Sequence, residues 1–395
     1  MSDPIIIGAG PLGLMAALAL SDQITKNSSF KKITLIGADA PKDARTTAIL
    51  NEGVRFLSDL GVWQQFQDKT APLKVMRIVD GTKRLIRAPE ARFDSSEIDA
   101  DSFGHNIKNQ DLLKTLNEAV VARDNIVRIK EPASAINLES TTALEGKERA
   151  VVTLKGGTTL STDLLVAADG RNSMTREAAA IQTKKWSYPQ IAMVMNLSHK
   201  RDHDFISTEF HTESGPFTLV PLPGKNSSLV WVEKPDEAQR LMALPREDLA
   251  AIISEKSHYL LGDVSIKTKP MSYPLSGLMA EDYGKGSVVL IGESAHVFPP
   301  IGAQGMNLGI RDVKALVECI TQSSIHGSAQ LSLSDQYSKA RKKDIVSRTK
   351  AIDTLNRSLL TDMLPVHLGR GIGLFAINSL PTLRKFVMKT GLGAQ

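Results

Sequence analysis

Cysteine is almost missing: Cys319 stands alone among 395 residues. One thiol excludes an internal disulfide, a CxxC redox pair, a thiolate zinc site and a cysteine-ligated iron–sulfur cluster, and it suits a reducing compartment. Aromatic residues are scarce too, at 5% of the chain, and the formal charge is only +5. With no Lys/Arg run interleaved with aromatics, the electrostatic footprint of a nucleic-acid binder is absent. No run of about 18 apolar residues occurs, so no membrane-spanning helix is expected. Apolar sequence already begins at Pro4-Ile5-Ile6-Ile7, which leaves no room for the charged start of a secretory leader. A cytoplasmic protein is expected. The 42% of apolar residues, with charges of both signs, suffices for two or three domains with sizeable cores.

The opening reads as strand, turn, helix, strand. Ile5–Gly8 is an apolar run ended by glycine, and Pro11 suits a first helical turn because its missing N–H would have no partner there. Helical sequence continues from Leu14 to Leu20, and Lys32–Ile36 is the next strand. Such a β-α-β unit predicts a parallel sheet with a right-handed crossover. Further helices are expected over Thr47–Leu60, stopped by Gly61, and over about Asn109–Ala122. Ala150–Leu154 and Thr158–Val166, joined through Lys155-Gly156-Gly157, read as a hairpin whose second arm runs on toward Asp169-Gly170. From Ile191 to Glu233 the grammar changes to short β-like runs with Gly215-Pro216 and Pro223-Gly224 between them, a mostly antiparallel sheet. Helix returns over Arg246–Lys256, and Ser287–Ile291 is again a buried strand. Met306, Ile310, Val313, Val317 and Ile320 then keep a helical period, and the chain is helical from Ser334 onward.

The fold class expected is therefore α/β: a Rossmann-like nucleotide-binding layer in separated pieces, with an inserted, mostly antiparallel substrate sheet and a helical C-terminus. The boundaries assigned are 1–75, 100–182 and 275–330 for the nucleotide-binding layer. The inserted sheet takes 76–99 and 183–274, and 331–395 form the helical end.

Three stretches carry chemistry. Gly8-Ala9-Gly10-Pro11-Leu12-Gly13 is a G-x-G-x-x-G that follows a strand and opens a helix, where bare glycines let backbone N–H groups approach a pyrophosphate stabilised by the helix N-terminus. The acidic residue usual at the end of the next strand is replaced by Gly37, which leaves Asp39 as the candidate ribose acceptor. Asp169-Gly170-Arg171 ends a strand at a turn suited to phosphate or its water shell. Gly292-Glu293-Ser294-Ala295-His296, followed by Pro299-Pro300-Ile301-Gly302-Ala303-Gln304-Gly305-Met306-Asn307, carries an acid from a strand end into a glycine-rich helix start. A helix N-terminus there suits the anionic edge of a reduced flavin, and Glu293 is suited to accept ribityl hydroxyls. No second His or carboxylate stands four residues from His296, so no metal site is expected. The fingerprint occurs once, and there is no redox disulfide. One tightly held dinucleotide without a second nucleotide domain points to a flavoprotein that meets its electron donor transiently.

These residues resemble the class A flavin-dependent aromatic hydroxylases, the p-hydroxybenzoate hydroxylase type, and within them the ubiquinone-biosynthesis hydroxylases. The likeness rests on Gly8–Gly13, Asp43–Ala48, Asp169-Gly170 and Gly292–Asp312, with Phe103–Ile107, Trp186–Tyr188, Gly215–Phe217 and Tyr337 with Arg341 and Asp344 in the same order. It implies FAD as cofactor, with Gly8, Gly10, Pro11, Leu12 and Gly13 at the pyrophosphate and Arg45 and Gln110 at the phosphates and ribityl chain. It further implies Asp169 where nicotinamide and flavin paths meet, Gly292 and Glu293 in place of the commoner Gly-Asp, and Pro300 and Gly302, Ala303, Gln304, Gly305, Met306 and Asn307 along the ring. The implied reaction is hydroxylation of a polyprenylated phenol through a flavin C4a-hydroperoxide formed with dioxygen, electrons coming from NAD(P)H or a protein donor. An oxidant of that kind needs a dry cavity. His211, Tyr188 and His296 are the polar candidates for catalysis near it. A hydroxylase of a soluble aromatic compound, a flavin-binding scaffold subunit of a quinone-synthesis complex and a nicotinamide dehydrogenase remain as alternative readings.

The last 35 residues hold Arg370, Arg384, Lys385 and Lys389 against Asp362, with apolar residues between. A basic amphipathic end suits peripheral contact with the inner face of a membrane, or equally a helix packed on the nucleotide-binding layer.

Overall fold

The computed structural model describes residues 2–26, 30–41, 43–82, 87–140, 148–300, 304–326, 332–360 and 379–391. A six-stranded sheet forms its base, in the order Gly284–Lys285, Val288–Leu290, Leu165–Ala167, Ile5–Ile7, Ile33–Ile36 and Ile126–Ile129. All neighbours run parallel except the outermost Gly284–Lys285. Every residue of the three central strands is buried, which is why they read as unbroken apolar runs rather than alternating ones.

The helices, in chain order, are α1 (Pro11–Lys26), α2 (Asn51–Asp59), α3 (Asn109–Val121), α4 (Met174–Ala178), α5 (Pro235–Met242), α6 (Arg246–Lys256), α7 (Gln304–His326), α8 (Leu333–Leu360) and α9 (Pro381–Gly391). Helix α1 packs on both α3 and α7. Its residues Leu14–Leu20 are all buried, so it is apolar around its circumference and has no acid in its first turn.

The second large sheet has nine strands. Along its main path they run His296–Val297, Met271–Ala280, Thr183–His199, Asn226–Glu233, Gly215–Leu222, Ile206–Thr212, Val75–Asp80 and Ala91–Asp94, with Val264–Ile266 on the Thr183–His199 strand. Pairing is antiparallel throughout apart from Ile206–Thr212 on Val75–Asp80. One face is a core of its own: Met193, Met195, Phe210, Phe217, Leu229 and Trp231 pack against Leu241, Leu249 and Ile253 of α5 and α6. The opposite face turns toward the base of the molecule. There Asn196 Nδ2 donates to the Ala44 carbonyl at 3.0 Å, Thr46 Oγ1 donates to Ser228 Oγ at 2.8 Å, and Asn106 Nδ2 donates to the Pro221 carbonyl at 2.9 Å.

Three details differ from the sequence reading. The helix expected from Thr47 starts at Asn51, because Thr46–Leu50 is a strand paired with Gly104–Lys108; two β-branched threonines and Ile49 favour that pairing. The run Thr158–Val166 is two strands, not one arm of a hairpin. Thr159–Thr162 stays with Glu148–Leu154, and Leu165–Ala167 joins the parallel sheet. Gly215 and Pro216 lie inside a strand rather than between strands.

Candidate functional site

The Gly8–Gly13 turn is built by steric exclusion. Gly8 has φ +108°, and a Cβ on it would overlap the Ala168 carbonyl; one on Gly13 would overlap the Gly8 carbonyl oxygen. These two glycines let the strand, the turn and α1 touch. Gly10 differs, because a Cβ there meets nothing within 4 Å. The backbone at Gly10 thus faces open space beside the first N–H groups of α1, where a phosphate group fits. Leu12 reaches across to Gly292 and Gly309, at both of which a Cβ would strike its side chain. The fingerprint, the Gly292 turn and α7 are thereby locked together.

The second wall begins where Val288–Leu290 ends. Gly292 takes φ +60°, and Glu293 projects outward, exposed. Behind this turn lies a buried ionic hub. The Gly292 N–H donates to Asp312 Oδ2 at 2.9 Å, His296 Nε2 shares that oxygen at 2.7 Å, and Arg341 Nε donates to Oδ1 at 2.8 Å. Burial works against the Arg341 charge, but Asp312 and neighbouring Asp344 outweigh it and hold the guanidinium firmly protonated. His296 stacks on Phe298, with ring centroids 5.2 Å apart. This imidazole is packed and paired, so it orients the turn.

Arg45 lies on the other side of the opening. Asp43 holds it through Nε, at 2.9 and 3.0 Å, and its guanidinium sits 5.2 Å from the centre of the Tyr273 ring. Hydrogen bonding to Asp43, with smaller contributions from Tyr273 and Glu293, strengthens its hold on the proton. Arg45 and Glu293, far apart in sequence, lie close enough here for their charges to interact. Asn109 at the start of α3 donates its Nδ2 to Asp43 at 2.7 Å, and Gln110 follows it, exposed. At the start of α7, Asn307 clips the helix to the Thr46–Leu50 strand, accepting from Leu50 N and donating to the Ala48 carbonyl, both at 2.9 Å. Gln304 Oε1 accepts from Arg348 at 3.1 Å, and Gly305, like Gly10, faces open space. Pro300 is exposed and Met306 half-buried. Gly302 and Ala303 lie outside the described residues.

Asp169 accepts from the N–H and Oγ1 of Thr175 through one carboxylate oxygen, at 3.0 and 2.9 Å. Its other oxygen is buried without a partner, next to Ala168, whose carbonyl abuts Gly8. An orphaned acceptor and two glycines open to space, Gly10 at the start of α1 and Gly305 at the start of α7, fit a dinucleotide. Asp39 stands farther out, paired with Lys130 at 2.8 Å and Arg128 at 3.5 Å, and the Lys130 hydrogen bond keeps its carboxyl below the usual range. It already has two cationic partners; any role at a ribose is shared with them.

Tyr188 and His211 belong to the second sheet. The Tyr188 hydroxyl accepts from Trp186 Nε1 and donates to Asp353 of α8, both at 2.6 Å. That joins the sheet to α8. For Tyr188→Phe we expect a loss of about 1 kcal/mol of stability in denaturant unfolding, since half-buried Trp186 and Asp353 each lose one hydrogen bond, with kcat little changed; a collapse of kcat at full stability would assign the hydroxyl to catalysis. His211 Nε2 lies 2.8 Å from Glu209 Oε1.

The sequence reading missed Asp312 as the hub and Glu209 as the partner of His211. Asp312 was detectable in principle: it stands four residues from Leu308 and Leu316, both buried, so the apolar stripe of α7 carries an acid. A charge there needs a buried cation. Glu209 gave no such signal.

A model of the FAD binding domain family matches residues 1–349. Ubiquinone hydroxylase UbiL of Rhodospirillum rubrum is 29% identical over 401 aligned positions, covering 100% of this chain and 90% of the relative. The 3-demethoxyubiquinol 3-hydroxylase of Escherichia coli is 27% identical over 98% of this chain and 97% of its own length. Among solved structures, p-nitrophenol 4-monooxygenase PnpA of Pseudomonas putida superposes with a TM-score of 0.78 over 99% of this chain and 98% of that one. At 15% identity that likeness establishes the fold.

Proposed function

This chain belongs to the FAD binding domain family and is an FAD-dependent monooxygenase; we propose that it hydroxylates the ring of a polyprenylated phenol in ubiquinone biosynthesis. The observation that carries this reading is similarity over the whole chain to two relatives named as hydroxylases of ubiquinone synthesis. Gly8, Gly10 and Gly13 with the α1 N-terminus take the pyrophosphate, and Arg45, Gln110, Glu293 and the spare oxygen of Asp169 take phosphates and hydroxyls. The start of α7, from Gln304 to Asn307, borders the ring. FAD, when bound, supplies the activation of dioxygen with electrons from NAD(P)H or a protein donor. The protein's own task is to orient the phenol and keep water out. Residues 1–75, 100–182 and 275–330 form the FAD-binding unit in this reading, roofed by 76–99 and 183–274.

A polyprenyl tail resides in a bilayer, and α9 offers a surface for one. Leu380, Leu383 and Phe386 are 54%, 38% and 63% exposed, while Met388 is buried among Ala91, Phe93 and Phe103. Arg384 is tied to Glu97 at 2.6 Å. The helix is thus anchored by one side and turns apolar residues outward, flanked by Lys385 and Lys389, with no acid from 379 to 391. Charge complementarity selects an anionic bilayer. Phe386→Glu is expected to lower co-sedimentation with phosphatidylglycerol vesicles at least tenfold while flavin content stays constant. Equal co-sedimentation refutes the docking surface.

The enzymatic reading is tested with the purified FAD-loaded protein, a chemical or nicotinamide reductant, dioxygen and a geranylated phenol. The expected product carries one more oxygen atom. Hydrogen peroxide as the only product, whichever prenylated phenol is added, contradicts it.

A further inference from the structure

The inner face of the second sheet is ordered in cross-strand rows. Ser228 pairs with Asn196 on one side and Val220 on the other, and this row is clamped to the Ala44–Thr46 segment that carries Arg45. Two residues along each strand, about 7 Å away, the next row reads Val194, Val230, Thr218, Glu209 and Ile78. Val230, Thr218 and Glu209 are only half-buried, while their alternates Leu229, Trp231, Phe217 and Phe210 are buried against the α5–α6 side. Beyond this row, Tyr188 and Asp353 fasten the sheet to α8. The middle row is therefore a partly open apolar strip between two clamps, beside the flavin residues. It carries Glu209 and Thr218; His211, buried one row further along between Pro216 and Asp80, completes an ionisable cluster by pairing back to Glu209.

The cluster has a direction. Glu209 accepts from His211 at 2.8 Å through Oε1 and from Thr218 Oγ1 at 3.3 Å through Oε2. A carboxylate can only accept, so His211 carries a proton on Nε2; in the neutral imidazole Nδ1 is then the acceptor, and it has no partner among the described residues. Burial pushes the Glu209 carboxyl up, but the His211 and Thr218 contacts outweigh it and leave the group below the ordinary range. Glu209 therefore stays ionised and offsets a charge arriving on the imidazole.

We propose that His211 accepts the proton of the substrate's ring hydroxyl, with Glu209 and Thr218 as positioning residues; the proposal rests on the phenol-hydroxylase reading. The phenolic O–H bond breaks, the proton passes to Nδ1, and the electron pair stays on oxygen as phenolate. The ring becomes a stronger nucleophile, and no oxidant or reductant is consumed in this step. The proton leaves to solvent or returns to the product hydroxyl. Asp80, in register with His211 on the neighbouring strand, does not compete, because its carboxylate accepts from Thr82 and Ala88. Pro216, opposite His211 on the other side, adds no charge.

The test uses the FAD-loaded enzyme with 2-geranylphenol across a pH series. His211→Gln is expected to lower kcat at neutral pH by about 100-fold or more with KM within a few-fold. Its residual rate rises tenfold per pH unit as phenolate grows in solution, where the wild type levels off. Glu209→Gln is expected to lower kcat about tenfold and to move the acidic limb to lower pH, since the imidazolium loses its counter-charge. If His211→Gln fails to retain FAD, that second variant decides the matter. Wild-type kcat and an unmoved pH profile in both variants overturn the proposal and leave the hydroxylase reading intact. A wild-type enzyme that oxygenates no prenylated phenol removes both.

Discussion

Gly10→Val protein is expected to purify folded and colourless. A Cβ at Gly10 meets nothing in the protein, so the substitution leaves packing undisturbed and fills only the space reserved for a pyrophosphate. Flavin affinity should fall at least 100-fold, read by titration of apoprotein with FAD, with thermal unfolding of the apo form unchanged. Gly13→Val gives the control with the opposite signature. Its side chain collides with the Gly8 carbonyl and Ala168, so it damages the fold itself, and apoprotein stability falls together with binding. Normal flavin content in Gly10→Val would mean that the open space beside α1 is not the phosphate site.

Asp312→Ala should be among the most destabilising single changes in the molecule. Both carboxylate oxygens are used, by Gly292 N and His296 on one side and Arg341 on the other, and the side chain is fully buried. Removing it leaves the buried Arg341 guanidinium with Asp344 as its remaining carboxylate partner and frees the turn that presents Glu293. Breaking a buried pair by deleting one partner costs about 3–5 kcal/mol. That loss should appear as a large fall in the denaturant midpoint, accompanied by weakened FAD binding. An unchanged midpoint would show that the hub contributes no net stability.

The sequence displayed the parts of this molecule that depend on local chemistry. The turn from Ile7 into α1 is visible because glycines, a proline at the first helical position and an apolar strand must occur in that order to make it. The α6 range, Arg246–Lys256, is equally local. By contrast, Thr46–Leu50 is a strand only because Gly104–Lys108, more than fifty residues away, lies beside it. Five residues are too few for periodicity to separate strand from helix. The break at Asp163-Leu164 has the same origin: two sheets take neighbouring pieces of one stretch, Thr159–Thr162 and Leu165–Ala167. The site was legible as a set of motifs, but not the contacts between them. Nothing in the sequence announces that Arg45 approaches Glu293, that Arg341 lies on Asp312, or that Glu209 and His211 face the side of the sheet nearest Arg45. Those adjacencies arise from the crossover connections and the pairing register.

The most direct measurement is the profile of quinone intermediates in a strain lacking this protein, grown with dioxygen. The account predicts accumulation of one polyprenylated phenol that lacks a single ring hydroxyl, with its disappearance on return of the wild-type protein but not of Gly10→Val. An unaltered profile, or restoration by the flavin-free variant, would contradict it.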